Sequence, residues 1–165
     1  MARVIEGYAA VFNVWSGTKD RKYRCYMCFD VGAFGSAIGG DVVALYDHNA
    51  DYRLGEAGNG SLRIEQDDVG LWVRIEPPEL RWVDTLCEHL EGRTWGMSLE
   101  YIPCRTSEES TPYGVPGLVV HEVSRVFEVT VTPRPLFPAT VVTVRDSRSS
   151  MNQDWRRQLA AEATL

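Results

Sequence analysis

A chain of 165 residues with 44% hydrophobic and 24% charged side chains suits one globular domain with a substantial core, and fits neither a disordered nor a membrane composition. The net charge of -6 argues against nucleic acid as the main partner, because phosphate binding rests on clustered Lys and Arg. Nowhere do about eighteen apolar residues run together, so no membrane span is expected, and the start of the chain, with Glu6 and no apolar stretch, is expected to carry no secretory signal.

Taken in order, Val4 to Phe12 is apolar and aromatic and predicts a first strand. Asn13 to Lys22 is a loop, whose basic run Lys19-Asp20-Arg21-Lys22 reads as solvated, and Tyr23 to Phe29 predicts a second strand. Asp30 caps a short helical turn that ends near Gly39-Gly40. Asp41 to Tyr46 is a compact strand that runs into Asp47-His48-Asn49, which sets a histidine at a strand mouth. Leu54 to Ala57, Leu62 to Gln66 and Leu71 to Ile75 follow as short strands, with turns at Gly58-Asn59-Gly60 and Asp67 to Gly70. Pro77-Pro78 opens a helix in which Leu80, Val83, Leu86, Cys87 and Leu90 recur at helical spacing, with Gly92 as its stop.

That helix leads into Trp95-Gly96-Met97-Ser98-Leu99-Glu100. With a period of two, Trp95, Met97, Leu99 and Tyr101 point one way and Gly96, Ser98 and Glu100 the other. A serine hydroxyl then stands on the open face of a strand beside a glycine that leaves room for approach. From Tyr101 to Gly117 the composition turns to Ser, Thr, Glu, Pro and Gly, which predicts an exposed loop. Leu118 to Thr132 is the longest strand, with a break near Ser124-Arg125. Its parity groups Val123, Phe127, Val129 and Val131 against Ser124, Val126, Glu128, Thr130 and Thr132. A proline corner, Pro133 to Pro138, precedes a last strand, Thr140 to Arg145. The polar tail from Asp146 holds a helix over Gln153 to Ala163. Many short strands with two or three helices predict a mainly β fold, a barrel or sandwich with helices packed around it.

Cys25 and Cys28 form a C-x-x-C pair, but Cys87 and Cys104 stand far apart and supply no second pair for zinc; free thiols are expected. A serine becomes a nucleophile only when a base takes its proton and a third group orients that base. Three histidines are available. His89 near the end of the predicted helix has a structural reason to be there, since a cation suits the helix dipole. His121 lies within the long strand, and His48 is at the strand mouth. Glu128 adds a carboxylate on a strand otherwise poor in charge.

The ordered set Gly7-Tyr8-Ala9-Ala10-Val11-Phe12-Asn13, Gly32-Ala33-Phe34, Val43-Ala44-Leu45-Tyr46-Asp47-His48-Asn49, Leu54-Gly55, Asp68-Val69-Gly70-Leu71-Trp72-Val73, Gly96-Met97-Ser98, Glu128-Val129-Thr130 and Pro135-Leu136-Phe137-Pro138-Ala139-Thr140 resembles the prohead proteases of tailed bacteriophages. The resemblance spans residues 3 to 145. It implies a fold similar to the herpesvirus capsid maturation proteases, an α+β arrangement with a β barrel surrounded by helices. By position it implies Ser98 as nucleophile, His48 as general base and Glu128 as the group that orients the imidazole. The herpesvirus relatives use a second histidine in that third role, so His121 rivals Glu128. Thr130 stands where the family usually has serine, and Leu136 where it usually has alanine.

The expectation is therefore a serine endopeptidase of phage capsid maturation over residues 1 to 145, with residues 146 to 165 as a polar tail. It would cleave the major capsid protein or a scaffold segment, and itself, inside the assembling prohead in the host cytoplasm. No metal or organic cofactor is expected, no nucleic-acid or membrane partner, and a homo-oligomer is open. Oxyanion donors are sought near Arg134, by analogy with the herpesvirus fold. Self-cleavage is expected in the tail or in the Thr106 to Gly117 loop. The alternatives are a non-catalytic β module that binds capsid scaffold, and a cysteine hydrolase using Cys104.

Overall fold

The computed structural model describes residues 2–91, 95–147 and 153–163. Among these residues nine strands fall into two sheets. In the first, β5 (Leu62–Gln66), β6 (Gly70–Ile75), β1 (Arg3–Val11) and β9 (Val141–Asp146) lie side by side and antiparallel. In the second, β8 (Pro116–Thr132) is the spine. It pairs with β7 (Gly96–Ser110) along one edge and with β2 (Met27–Phe29) and then β3 (Val43–Tyr46) along the other, and β4 (Asn49–Glu56) adds to β3. Among the described residues the strands do not close into a ring, so the fold is mainly β without a demonstrated barrel.

Between the sheets lies a core that includes Ile5, Ala10, Phe29, Phe34, Leu54, Leu71, Val73, Met97, Val120, Val129 and Val131. Helix α1 (Arg81–Leu90) buries Val83, Leu86, Cys87 and Leu90 of the stripe that the sequence spacing predicts, but it begins after Pro77-Pro78 and leaves Leu80 outside it, extended and exposed. Its expected stop, Gly92, lies outside the described residues. Helix α2 (Gln153–Ala163) has the predicted bounds, and Arg156 lies over the Trp72 ring at 4.4 Å. No described helix is long and apolar enough to cross a membrane.

Three expectations give way. The stretch Tyr23 to Tyr26 is not strand: Asp20 Oδ1 accepts from the amides of Lys22 and Tyr23, and the chain turns through Arg24 at φ 57° before β2 begins. The segment from Ile102 to Gly117 is not a loop. It continues β7 and opens β8, leaving only the tip of a long hairpin outside the ladder, so the Thr106 to Gly117 site expected for self-cleavage is mostly paired strand. Its polar composition misleads because β7 is an edge strand held through backbone bonds to an apolar partner. Such a strand needs no apolar face of its own, and an edge tolerates Pro103.

Finally, the parity of β8 resets. Tyr101 pairs with Val126 directly after Glu100 pairs with Glu128, so Phe127 is an extra residue in a bulge. Val126 consequently turns into the core and Phe127 turns out beneath the Arg125 guanidinium, 4.4 Å from its ring centre.

Candidate active site

Ser98 lies on β7 directly opposite Thr130 of β8, and Thr130 is opposite Leu45 of β3. Directly opposed side chains share a face, so Ser98, Thr130 and, two residues earlier, Glu128 look out on the same side. Met97 and Tyr101 point into the core on the other side, as the period of two requires. Gly96 is fixed by packing. A Cβ there would stand 2.4 Å from Thr140 Oγ1 and 2.7 Å from Pro135 Cγ. The close approach seats the proline corner against β7, where the Met97 amide donates to Thr140 Oγ1 at 3.1 Å.

His48 arrives from a tighter device than a strand mouth. Tyr46 pairs with Asn49, so Asp47 and His48 are the whole loop of the β3–β4 hairpin. Both are left-handed, at φ 47° and 58°, which is the turn that matches strand twist and that normally selects Asn-Gly. Two buried threonines hold this unfavourable pair. Thr130 Oγ1 accepts from the His48 amide at 2.8 Å and donates to the Leu45 carbonyl at 3.2 Å. Thr132 Oγ1 donates to Asp47 Oδ1 at 2.9 Å and accepts from the Arg134 amide at 3.2 Å. The Asp47 amide adds a bond to the Val131 carbonyl. Sequence reasoning gave neither threonine a role, although polar side chains alternating with valine through Glu128-Val129-Thr130-Val131-Thr132 were a signal that this face serves a site.

So held, the imidazole meets Glu128: His48 Nδ1 is 2.7 Å from Glu128 Oε1. The Glu128 side chain is 14% exposed and that of His48 45%. A carboxylate accepts only, so Nδ1 carries the proton and Nε2 is bare. The hydrogen bond to Glu128 raises the histidine above its ordinary value; the charges of Glu128, Glu100 and Asp47 add to this, and partial burial opposes it. Ser98 and His48 line one cleft of about 600 Å³. Its floor is apolar, with Phe29, Tyr101, Leu136 and Phe137. Lys19, Arg21 and Lys22 stand on its rim, so the basic run has a position at the site that its sequence did not suggest.

Over the serine, the Leu136 amide donates to Ser98 Oγ at 3.3 Å. Pro133, Pro135 and Pro138 have no N–H, and the Arg134 amide is engaged by Thr132. The corner therefore directs the Leu136 donor, not that of Arg134, toward the serine.

His121 is not part of this cluster. Its Nδ1 is 2.9 Å from Asp30 Oδ2 and its Nε2 2.6 Å from Ser107 Oγ. His89 bonds the Thr85 carbonyl within α1. Each histidine is thus engaged away from Cys104, which is exposed on β7. All four cysteines are free thiols.

The model of the caudovirus prohead serine protease family matches residues 1–154. The chain belongs to that family. It is accordingly a serine protease of capsid maturation, and not a non-catalytic β module. Among solved structures it is similar to the protease of the herpesvirus KSHV in complex with a hexapeptide phosphonate inhibitor, at 11% identity and a TM-score of 0.58. It is also similar to the varicella-zoster virus protease, at 13% identity and a TM-score of 0.50. Each comparison covers 99% of this chain and 77% of the viral one, and at such identity the likeness shows a herpesvirus-protease-like fold. Curated proteins give no match.

Proposed function

We propose that Ser98, His48 and Glu128 are the catalytic triad of this prohead protease and that its substrate is an extended segment of the capsid or scaffold protein. The observation that carries the proposal is the 2.7 Å bond that ties Glu128 to Nδ1 of His48, a residue that lines the same cleft as Ser98. As Ser98 Oγ attacks the scissile carbonyl carbon, its proton passes to His48 Nε2, and Glu128 stabilises the imidazolium. The Leu136 N–H, already aimed at Oγ, stands where it can donate to the oxyanion that forms beside that atom. Collapse breaks the C–N bond, His48 gives its proton to the departing amine, and water releases the acyl group by the same route in reverse.

An apolar floor of four large side chains beneath a charged rim favours a peptide that buries side chains and leaves its flanks solvated. The two sheets serve as halves of a split barrel. One seam is joined by a main-chain bond from Val142 N to Trp95 O, and at the other the Glu56 amide at the end of β4 donates to Ser61 Oγ just before β5. The enzyme works inside the assembling prohead, with capsid subunits as both neighbours and substrates; self-association is part of that setting. The test is a peptidyl phosphonate bearing a capsid-derived sequence. Intact-mass analysis should show one adduct, mapped to Ser98 and lost in Ser98→Ala. Capsid cleavage persisting in Ser98→Ala would overturn the assignment.

A further inference from the structure

A second serine in the molecule is wired to a histidine and a carboxylate, well away from the cleft. β8 carries His121 as an extra residue: Thr106 pairs with Val120 and Arg105 with Glu122, which leaves His121 unpaired in a bulge. Bulges re-aim side chains. Here the result is an imidazole between two elements. Asp30 directly follows β2, and its amide bonds the Val120 carbonyl, so the carboxylate is fixed to β8 at the bulge. His121 Nδ1 donates to Asp30 Oδ2 at 2.9 Å, which leaves Nε2 to accept the Ser107 hydroxyl proton at 2.6 Å. Glu109 Oε1 also approaches Ser107 Oγ, at 3.5 Å, but the hydroxyl has one proton and the imidazole is much the nearer acceptor. The bond from His121 holds the Asp30 carboxyl below its usual range, so the carboxylate stays charged.

His121 and Asp30 line a recess of about 300 Å³, which shares no lining residue with the Ser98 cleft and which Ser107 adjoins through its bond to His121. Trp15, Val119, Asn13 and Cys28 form its walls, with Asp30 and Glu109 as acids. Burial pushes the Cys28 thiol up to about 11, so it stays protonated and is no rival nucleophile. The volume suits a small acyl group and not a peptide, and the two carboxylates repel anions.

We propose that Ser107, His121 and Asp30 form a second hydrolytic site, one that accepts acyl groups from small uncharged or cationic esters. The Ser107 proton passes to His121 Nε2 as Oγ bonds the acyl carbon. The bond from that carbon to the leaving oxygen then breaks, and the proton goes to that oxygen, releasing an alcohol. Water attacks the acyl-serine by the same route, which releases a carboxylic acid and restores the hydroxyl. The sum is ester plus water giving acid plus alcohol, and nothing is oxidised or reduced.

The site is tested independently of the peptidase by working in the full-length Ser98→Ala protein. p-Nitrophenyl acetate is the substrate, and a small alkyl fluorophosphonate is the label, located by peptide mass spectrometry. Expected are phenolate release and an adduct on Ser107. Both should be absent in Ser98→Ala/Ser107→Ala and reduced at least about 100-fold by His121→Gln, the scale of general-base assistance. Asp30→Asn, whose side chain lies outside the ladder, gives a second reading should His121→Gln fold poorly. Ser107→Ala alone should leave capsid-peptide cleavage unchanged. No adduct on Ser107 in a Ser98→Ala protein of wild-type Tm would overturn the proposal. Labelling of Ser107 at equal rates in the Ser98→Ala protein with and without His121→Gln or Asp30→Asn would do the same.

Discussion

Replacing Thr130 by valine keeps the side chain's shape and removes its hydroxyl, which makes it a clean probe of how His48 is held. Thr130 is fully buried, and its hydroxyl is the acceptor for the His48 amide and a donor to the Leu45 carbonyl. With valine the amide has no partner, at a cost of about 2 kcal/mol for an unpaired, partly buried donor. Asp47 and His48 are both left-handed, so the turn already opposes its own intrinsic preference and has strain to release by moving. If the turn relaxes by that free energy, the population with His48 against Glu128 falls, and kcat/KM falls roughly 30-fold. Thr130→Ser retains the hydroxyl and should stay within about threefold of wild type. The assay is cleavage of a quenched capsid-derived peptide, with Tm measured in parallel. A Thr130→Val enzyme at wild-type rate, or a Thr130→Ser enzyme as damaged as Thr130→Val, would refute the claim that this hydroxyl positions the base.

Ser98→Ala should abolish peptide cleavage while Tm changes little, since among the described residues the hydroxyl's one bond to protein is the 3.3 Å contact from the Leu136 amide; calorimetry beside the peptide assay checks both halves. Glu128→Gln should cost on the order of 10⁴-fold in kcat, because an amide no longer fixes the reactive tautomer. Glu128 raises the His48 pKa and the neutral imidazole is the active form, so the acid limb of the residual kcat/KM profile should move to lower pH in this variant; a limb that stays put would separate Glu128 from the base. His121→Ala, by contrast, should leave the peptide-cleavage profile unchanged. Gly96→Ala forces a methyl into Thr140 and Pro135, and should lower stability by about 1–3 kcal/mol and depress cleavage as the corner shifts off Ser98; an unchanged Tm would show that the corner yields freely.

What the sequence made legible is what side chains alone determine. The apolar runs Val4 to Phe12 and Leu71 to Ile75, the stripe of α1, and the facing of Ser98 against Met97 all follow from burying apolar groups. What it hid depends on main-chain partners. The far half of β7 has polar residues on both faces and is strand only because β8 offers a ladder, so the segment reads as a loop. The bulge at Phe127 is invisible because Val126 and Phe127 are equally apolar, and either satisfies the core. The hairpin tip is hidden because Asp-His lacks the glycine that marks such turns, its conformation being held by two threonines distant in sequence. Ser107 and Asp30 escaped attention for a related reason, since one sat in an apparent loop and the other in an apparent cap. Glu128 and His121 could not be ranked by parity, because the bulges between them break the count on which parity rests.

The distribution of those bulges is itself an argument about how the site is built. From Gly96 paired with Thr132 to Glu100 paired with Glu128 the ladder is regular, and every register shift between the two strands lies on the other side of Glu100. Three polar side chains on one face of a regular strand stand about 7 Å apart per two residues. Glu128, Thr130 and Thr132 use that spacing as a ruler: the first grips the imidazole, the second the amide of the same histidine, and the third the preceding aspartate. A bulge anywhere in this stretch would send one of the three into the core, as it does to Val126. Beyond Glu100 the constraint is lifted and extra residues are tolerated, and one of them, His121, is thereby turned toward Asp30 and Ser107. The same strand thus holds one histidine's partners by regularity and aims the other histidine by irregularity.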